Sequence, residues 1–124
     1  MITGIGTDIV AVGRLRAMWD KHGKAALDKL LAPSERADFV AAADPGRFLA
    51  KRFAAKEALA KALGTGLRPP VLLPAIAVTH DAQGKPQFAF HGPLAELTQN
   101  LTVHLSLSDE ADYAIAYVIV ESAC

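Results

Sequence analysis

The stretch "DPGRFLAKRFAAKEALAKALGTG", residues 44–66, does most to limit what this chain can fold into. Asp44 and Pro45 supply an N-cap and a proline at the first helical position, and Gly64 suits a C-cap. Between them the sequence predicts the longest helix of the chain, running to Leu63. At about 100° per residue, Phe48, Leu49, Phe53, Leu59 and Leu63 define one apolar sector that must bury itself against a partner. Glu57 lies at one edge of that sector, with Lys61 one turn later in the favourable order for an i,i+4 ion pair. Arg52 and Lys56 fall inside the sector. From there long basic chains either snorkel to solvent or reach an anion or a neighbouring subunit. The "GTG" follows a helix instead of opening one, so it is not a Walker P-loop.

Around this helix the pattern changes period repeatedly. Residues 2–12 read as a strand, 14–21 and 25–31 as short helical stretches, and 34–43 as a helix opened by Pro33. "LRPPVLLP" (67–74) is an irregular connector, and 75–81 and 86–91 read as two strands around a glycine-containing hairpin loop. Gly92-Pro93 opens a short helix to about Asn100. Strands at 101–108 and 112–121 close the chain, joined by a tight acidic turn. The last strand is apolar on both faces and reads as central, with Tyr113 and Tyr117 as packing residues. Strands and helices do not alternate regularly enough for a doubly wound sheet. The expected class is α+β, a mostly antiparallel sheet packed against helices, in a single domain spanning 1–124.

No apolar run approaches the roughly 20 residues of a membrane helix, and no secretory leader is evident. The one cysteine, Cys124, leaves no internal disulfide and no cysteine-based zinc site. A cytoplasmic protein with neither nucleic acid nor membrane as partner is expected. The net charge is zero but unevenly spread. Residues 1–68 hold twelve Lys/Arg against seven Asp/Glu, while residues 69–124 hold Lys85 alone against six acids. Either the halves neutralise each other, or a basic face awaits an acidic or phosphorylated partner.

Two further stretches carry candidate chemistry. In "GIGTDIV" (4–10) a carboxylate, Asp8, interrupts an apolar strand, where an unpaired charge is costly. Gly4, Gly6 and Val10 share its face, so the glycines are expected to leave space beside it. Such a carboxylate is either a hydrogen-bonded structural residue or the ligand of a hard cation. Magnesium takes one or two protein carboxylates and completes its shell with water and phosphates. Glu57, Lys61, Arg52 and His104 would complete the set if the fold gathers them. In "HLSLSD" (104–109) the alternation turns Val103, Leu105 and Leu107 one way, and His104, Ser106 and Ser108 the other. That is either a half-exposed strand or a polar wall bearing one imidazole that titrates near neutrality. No G-x-S-x-G nucleophile elbow is present.

"GIGTDIV" (4–10), "KRFAAKEALAKALGTG" (51–66), "GKP" (84–86), "HLSLS" (104–108) and "YAIAYVIVE" (113–121), in this order, closely resemble the short bacterial holo-acyl-carrier-protein synthase type of the 4′-phosphopantetheinyl transferases. The resemblance covers essentially the whole chain. It implies Mg2+-dependent transfer of the phosphopantetheine arm of coenzyme A to a serine of an apo acyl carrier protein, as part of fatty acid biosynthesis. Adenosine 3′,5′-bisphosphate leaves, and the nucleophile belongs to the carrier, not to Ser106 or Ser108. It implies Asp8 and Glu57 as metal ligands, Lys61 at the phosphates, and Glu57 or a metal-bound water as base. His104 and Ser106 would flank the coenzyme A phosphates, and Arg52 would meet the 3′-phosphate. Gly64, Thr65, Gly66 and the Gly84-Lys85-Pro86 turn would border the adenosine. It further implies a homotrimer with active sites between subunits, and docking of the acidic carrier on Arg14, Arg16, Met18 and Lys21. Two departures stand out: Asp109 replaces a histidine common in the family, and the connector at 67–74 carries three prolines. A catalytically inactive coenzyme A-binding module and a Mg2+-dependent hydrolase of coenzyme A-like diphosphates are the rival readings.

Overall fold

The computed structural model describes residues 1–123; Cys124, the lone thiol, lies outside the described residues. Strand β1 (Ile2–Ala11) runs straight into helix α1 (Val12–His22), followed by α2 (Lys24–Leu30), a 3-10 turn (Pro33–Glu35) and α3 (Arg36–Ala41). Helix α4 spans Pro45–Leu63. Its start is set by the Asp44 side chain, which accepts from the Arg47 N–H at 3.2 Å, and its end by Gly64 in the left-handed conformation. After a second 3-10 turn (Leu73–Ala75) come β2 (Ile76–His80), β3 (Pro86–Phe90), α5 (Pro93–Leu97), β4 (Leu101–Asp109) and β5 (Tyr113–Ser122).

The strands form two antiparallel sheets where the sequence suggested one: β1-β5-β4, with β5 central as expected, and the hairpin β2-β3. Helix α4 lies across one face of the three-stranded sheet, packed on β1 and β5, with α1 against its flank. This inner face collects Val10, Ala114, Ala116, Val118, Val120 and Leu105, all buried. On the helix side Leu49, Ala50, Ala54, Ala55, Ala58, Leu59 and Ala62 are buried, and the five alanines let helix and sheet approach. Trp19, Phe39 and Phe48 stack edge-on at 4.9 and 5.7 Å, tying α1, α3 and α4 together.

The outer face of that sheet is bare. Ile5 and Ile9 from β1 are 58% and 60% exposed, and Tyr117 and Ile115 from β5 are each 42% exposed. The final strand is therefore apolar on both faces, as the sequence indicated, but only one of those faces is buried within the chain.

Candidate functional site

The glycines of β1 explain where the site forms. They do not leave room for a ligand, as the strand pattern suggested. A Cβ on Gly6 would lie 2.7 Å from Ala62 N and closer still to Ala58 O, and one on Gly4 would lie 2.9 Å from the Ala62 carbonyl carbon. The space is filled by the backbone of α4. Helix and strand are thus pressed together at the last turns of α4, and Asp8 follows on the same strand face.

Asp8 is 15% exposed, and Lys61, half exposed, donates to Asp8 Oδ1 at 3.1 Å and to the Thr7 carbonyl at 3.0 Å. Glu57 lies one turn before Lys61. Burial first, and then the negative charge of Asp8, push its carboxyl above the ordinary carboxylate range, against the opposing pull of Lys61 and Arg14. Asp8, Glu57 and Lys61 therefore form one electrostatic cluster, as the sequence anticipated. The pairing differs: Lys61 turns to Asp8, and Glu57 makes no ion pair or hydrogen bond among the described residues. Among the described residues no group of three or more His, Cys, Asp or Glu converges here. A half-buried carboxylate on α4 that feels the charge of a second one on β1 suits a hard cation whose remaining ligands come from phosphate and water.

His104 and Ser106 are not beside this cluster in the same chain. Register puts His104 opposite Ile119, itself opposite Ile5, and Ser106 opposite Tyr117, itself opposite Thr7. Both lie on the bare outer face, across the sheet from α4. His104 Nε2 sits 3.0 Å from Glu121 Oε1.

Arg52 and Lys56 each reach an anion, one of the alternatives the sequence left open, and neither snorkels to solvent. Both are buried and share Glu35, which is itself buried. Lys56 Nζ donates to Glu35 Oε1 at 2.6 Å, to Leu30 O at 2.8 Å and to Leu73 O at 3.0 Å. Arg52 reaches Glu35 Oε2 at 3.4 Å and the Val78 carbonyl, with its guanidinium 4.5 Å above the Phe48 ring. Glu35 also accepts from Ala32 N and Val78 N. Burial lowers both Arg52 and Lys56, opposed chiefly by Glu35. Glu35 went unnoticed in the sequence, although two cations inside an apolar sector demand a buried acid.

Arg52 still contributes a wall to a cavity of about 310 Å³ with Arg47, Phe48, Lys51, His80 and Leu107. Arg47 and Lys51, also unforeseen, meet Asp109 at 2.9 and 3.6 Å. Gly64 caps α4, and Thr65 Oγ1 donates to Gly66 O. Gly84 and Lys85 belong to the turn in which Asp81 Oδ1 accepts from Gln83 N and Lys85 N, and Pro86 begins β3. On α1, Arg14 lies 5.3 Å from the Phe53 ring centre, Arg16 pairs with Asp44 at 2.9 Å, Met18 packs on the core edge and Lys21 is exposed. No helix among the described residues is long and apolar enough to cross a membrane.

Residues 4–118 match the family model of the 4′-phosphopantetheinyl transferase superfamily. A holo-[acyl-carrier-protein] synthase from Dechloromonas aromatica is 69% identical over 125 residues, covering 99% of this chain and 100% of that protein. Among solved structures, the holo-[acyl-carrier-protein] synthase of Neisseria meningitidis superposes with a TM-score of 0.94 at 46% identity, covering 98% of this chain and 100% of that one. That of Bacillus anthracis, in complex with CoA (3′,5′-ADP), gives 0.84 at 36% identity over 99% of each chain.

Proposed function

The chain belongs to the 4′-phosphopantetheinyl transferase superfamily, and from that membership we propose that it transfers the 4′-phosphopantetheine arm of coenzyme A to a serine of an apo acyl carrier protein. Adenosine 3′,5′-bisphosphate is the leaving product. The observation that carries the reading is the cluster of Asp8, Glu57 and Lys61, two carboxylates and a half-exposed cation held together by the tight α4–β1 contact.

Asp8 and Glu57 are the residues that would hold a magnesium ion, which would supply charge neutralisation at the coenzyme A phosphates. Lys61, half exposed, swings from Asp8 toward the diphosphate and stabilises the charge of the leaving bisphosphate. Glu57 makes no hydrogen bond among the described residues, so its carboxylate is free to take the proton from the carrier's serine hydroxyl, directly or through a water, as that oxygen attacks.

The active unit is a homotrimer with its sites between subunits. Support comes from the bare apolar sheet face around Ile5, Ile9, Ile115 and Tyr117, which is the kind of surface that marks an interface. His104 and Ser106 stand on that face and meet coenzyme A bound at another copy's Asp8–Glu57 pair. The ribose 3′-phosphate enters the cavity walled by Arg52, and Gly64, Thr65, Gly66, Gly84, Lys85 and Pro86 border the adenosine. The acidic carrier docks on α1 through Arg14, Arg16, Met18 and Lys21, in fatty acid biosynthesis. A chain with a single cysteine fits the reducing cytoplasm.

One assay tests the reading. The protein is incubated with coenzyme A, magnesium and apo carrier, and the carrier is weighed by mass spectrometry. Gain of one phosphopantetheine is expected. No gain refutes transfer, and coenzyme A cleaved without carrier points to the hydrolase instead.

A further inference from the structure

The cavity beside the first turns of α4 gathers cations that the Asp8–Glu57–Lys61 cluster does not use. Arg52 is engaged by Glu35 and the Val78 carbonyl. Arg47 and Lys51 stay partly open, at 28% and 37% exposure, and both turn to one carboxylate. Arg47 Nη1 lies 2.9 Å from Asp109 Oδ2, and Lys51 Nζ lies 3.6 Å from Asp109 Oδ1. A carboxylate that bridges a guanidinium and an ammonium through its two oxygens uses the same donors that a phosphate monoester would use.

Arg47 does not depend on Asp109 for its place. It also donates to Glu110 O at 2.6 Å and to Ala111 O at 3.0 Å, and lies 3.6 Å from Asp44, which Arg16 already pairs. The cavity is electropositive where His80 meets it. Burial, and then the charges of Arg52 and Lys51, lower the proton affinity of that imidazole. Coenzyme A has two anionic parts, a diphosphate and a ribose phosphate monoester. With the diphosphate assigned to the carboxylate pair and Lys61, the monoester is the part left to a separate cationic cavity.

We propose that Asp109 is a specificity-determining residue, an internal counter-anion that engages Arg47 and Lys51 and so weakens the preference of this chain for a ligand bearing the phosphate monoester. The inference rests on the coenzyme A reading above. Asp109 stands outside the cavity lining, which includes Asp44, but a phosphate that binds Arg47 and Lys51 from the cavity competes with the Asp109 carboxylate for both cations. Asp109→Asn keeps the shape and removes that competition. Lys51→Met removes one of the two contested cations.

The experiment compares kcat/KM for coenzyme A with that for 3′-dephospho-coenzyme A, using the full chain and apo carrier. In parallel, calorimetry compares binding of adenosine 3′,5′-bisphosphate with that of adenosine 5′-monophosphate. Asp109→Asn is expected to raise both preference ratios by about three- to fivefold, the scale of a partly exposed ion pair. Lys51→Met is expected to lower them, and added salt to shrink all these differences. Ratios that stay unchanged or fall in Asp109→Asn overturn the proposal. A parent chain that modifies no carrier with either donor strikes the transfer reading, while the two binding ratios still decide the role of Asp109.

Discussion

Gly6→Ala tests the physical basis of the site. The added Cβ would stand 2.7 Å from Ala62 N and nearer to Ala58 O. Comfortable carbon contacts begin at about 3.5 Å, so strand and helix must separate by about 1 Å. Both obstructing atoms are main chain within α4, where no rotamer change relieves them. Overpacking costs about 1–3 kcal/mol, and a backbone clash belongs at the upper end, about 3 kcal/mol. The catalytic effect is separate. A shift of about 1 Å in positioned groups costs on the order of 100-fold in rate, and α4 carries Glu57 and Lys61 while β1 carries Asp8. The Lys61–Asp8 contact of 3.1 Å spans the junction that must open. Urea unfolding measures the first term, and carrier modification at a temperature where the variant stays folded measures the second. Gly13→Ala is the control: a Cβ there meets nothing within 4 Å, and alanine in a helix is favoured over glycine by up to about 1 kcal/mol. A Gly6→Ala protein as stable and as active as the parent would refute the claim that close α4–β1 contact builds the site.

Four further outcomes are expected. Glu35→Gln leaves Lys56 and Arg52 buried without their shared counter-charge and should cost about 3–5 kcal/mol by urea unfolding; a loss under about 1 kcal/mol would mean that those cations are compensated in another way. Asp8→Ala and His104→Ala should each be inactive alone yet regain activity when the two are refolded together, because a hybrid oligomer holds intact sites; no recovery counts against the shared site. Glu57 has its folded-state pKa raised, so its neutral form is favoured in the folded protein. The resulting stability is present below its unfolded value and is lost as pH rises through the folded one. Magnesium binding just above the ordinary glutamate pKa should therefore release protons, seen as buffer-dependent calorimetric heats, and Glu57→Gln should abolish the release. Lys21→Glu should raise KM for the carrier without changing KM for coenzyme A, and equal changes in both would argue against docking on α1.

What the sequence by itself determined was local. The caps at Asp44 and Gly64 delimit α4 because they act on backbone groups within a few residues. Alternation revealed which residues share a face in β1, β4 and β5, because Cβ directions alternate along a strand. The motif stretches pointed to Asp8, Glu57 and Lys61, and these do converge. What only the tertiary structure decided was which face meets what. Strand parity does not say which face of the sheet α4 covers; register and helix packing put Asp8 on the inner face and His104 on the outer one. The use of Gly4 and Gly6 depends on an approaching backbone more than fifty residues later in the chain. The anion that Arg52 and Lys56 reach stayed unidentified because Glu35 comes from a 3-10 turn with no helical or strand period to mark its burial. Desolvation and long-range pairing are properties of the assembled core, so charges that appear independent along the chain became a buried network only once α2, β2 and α4 closed around them.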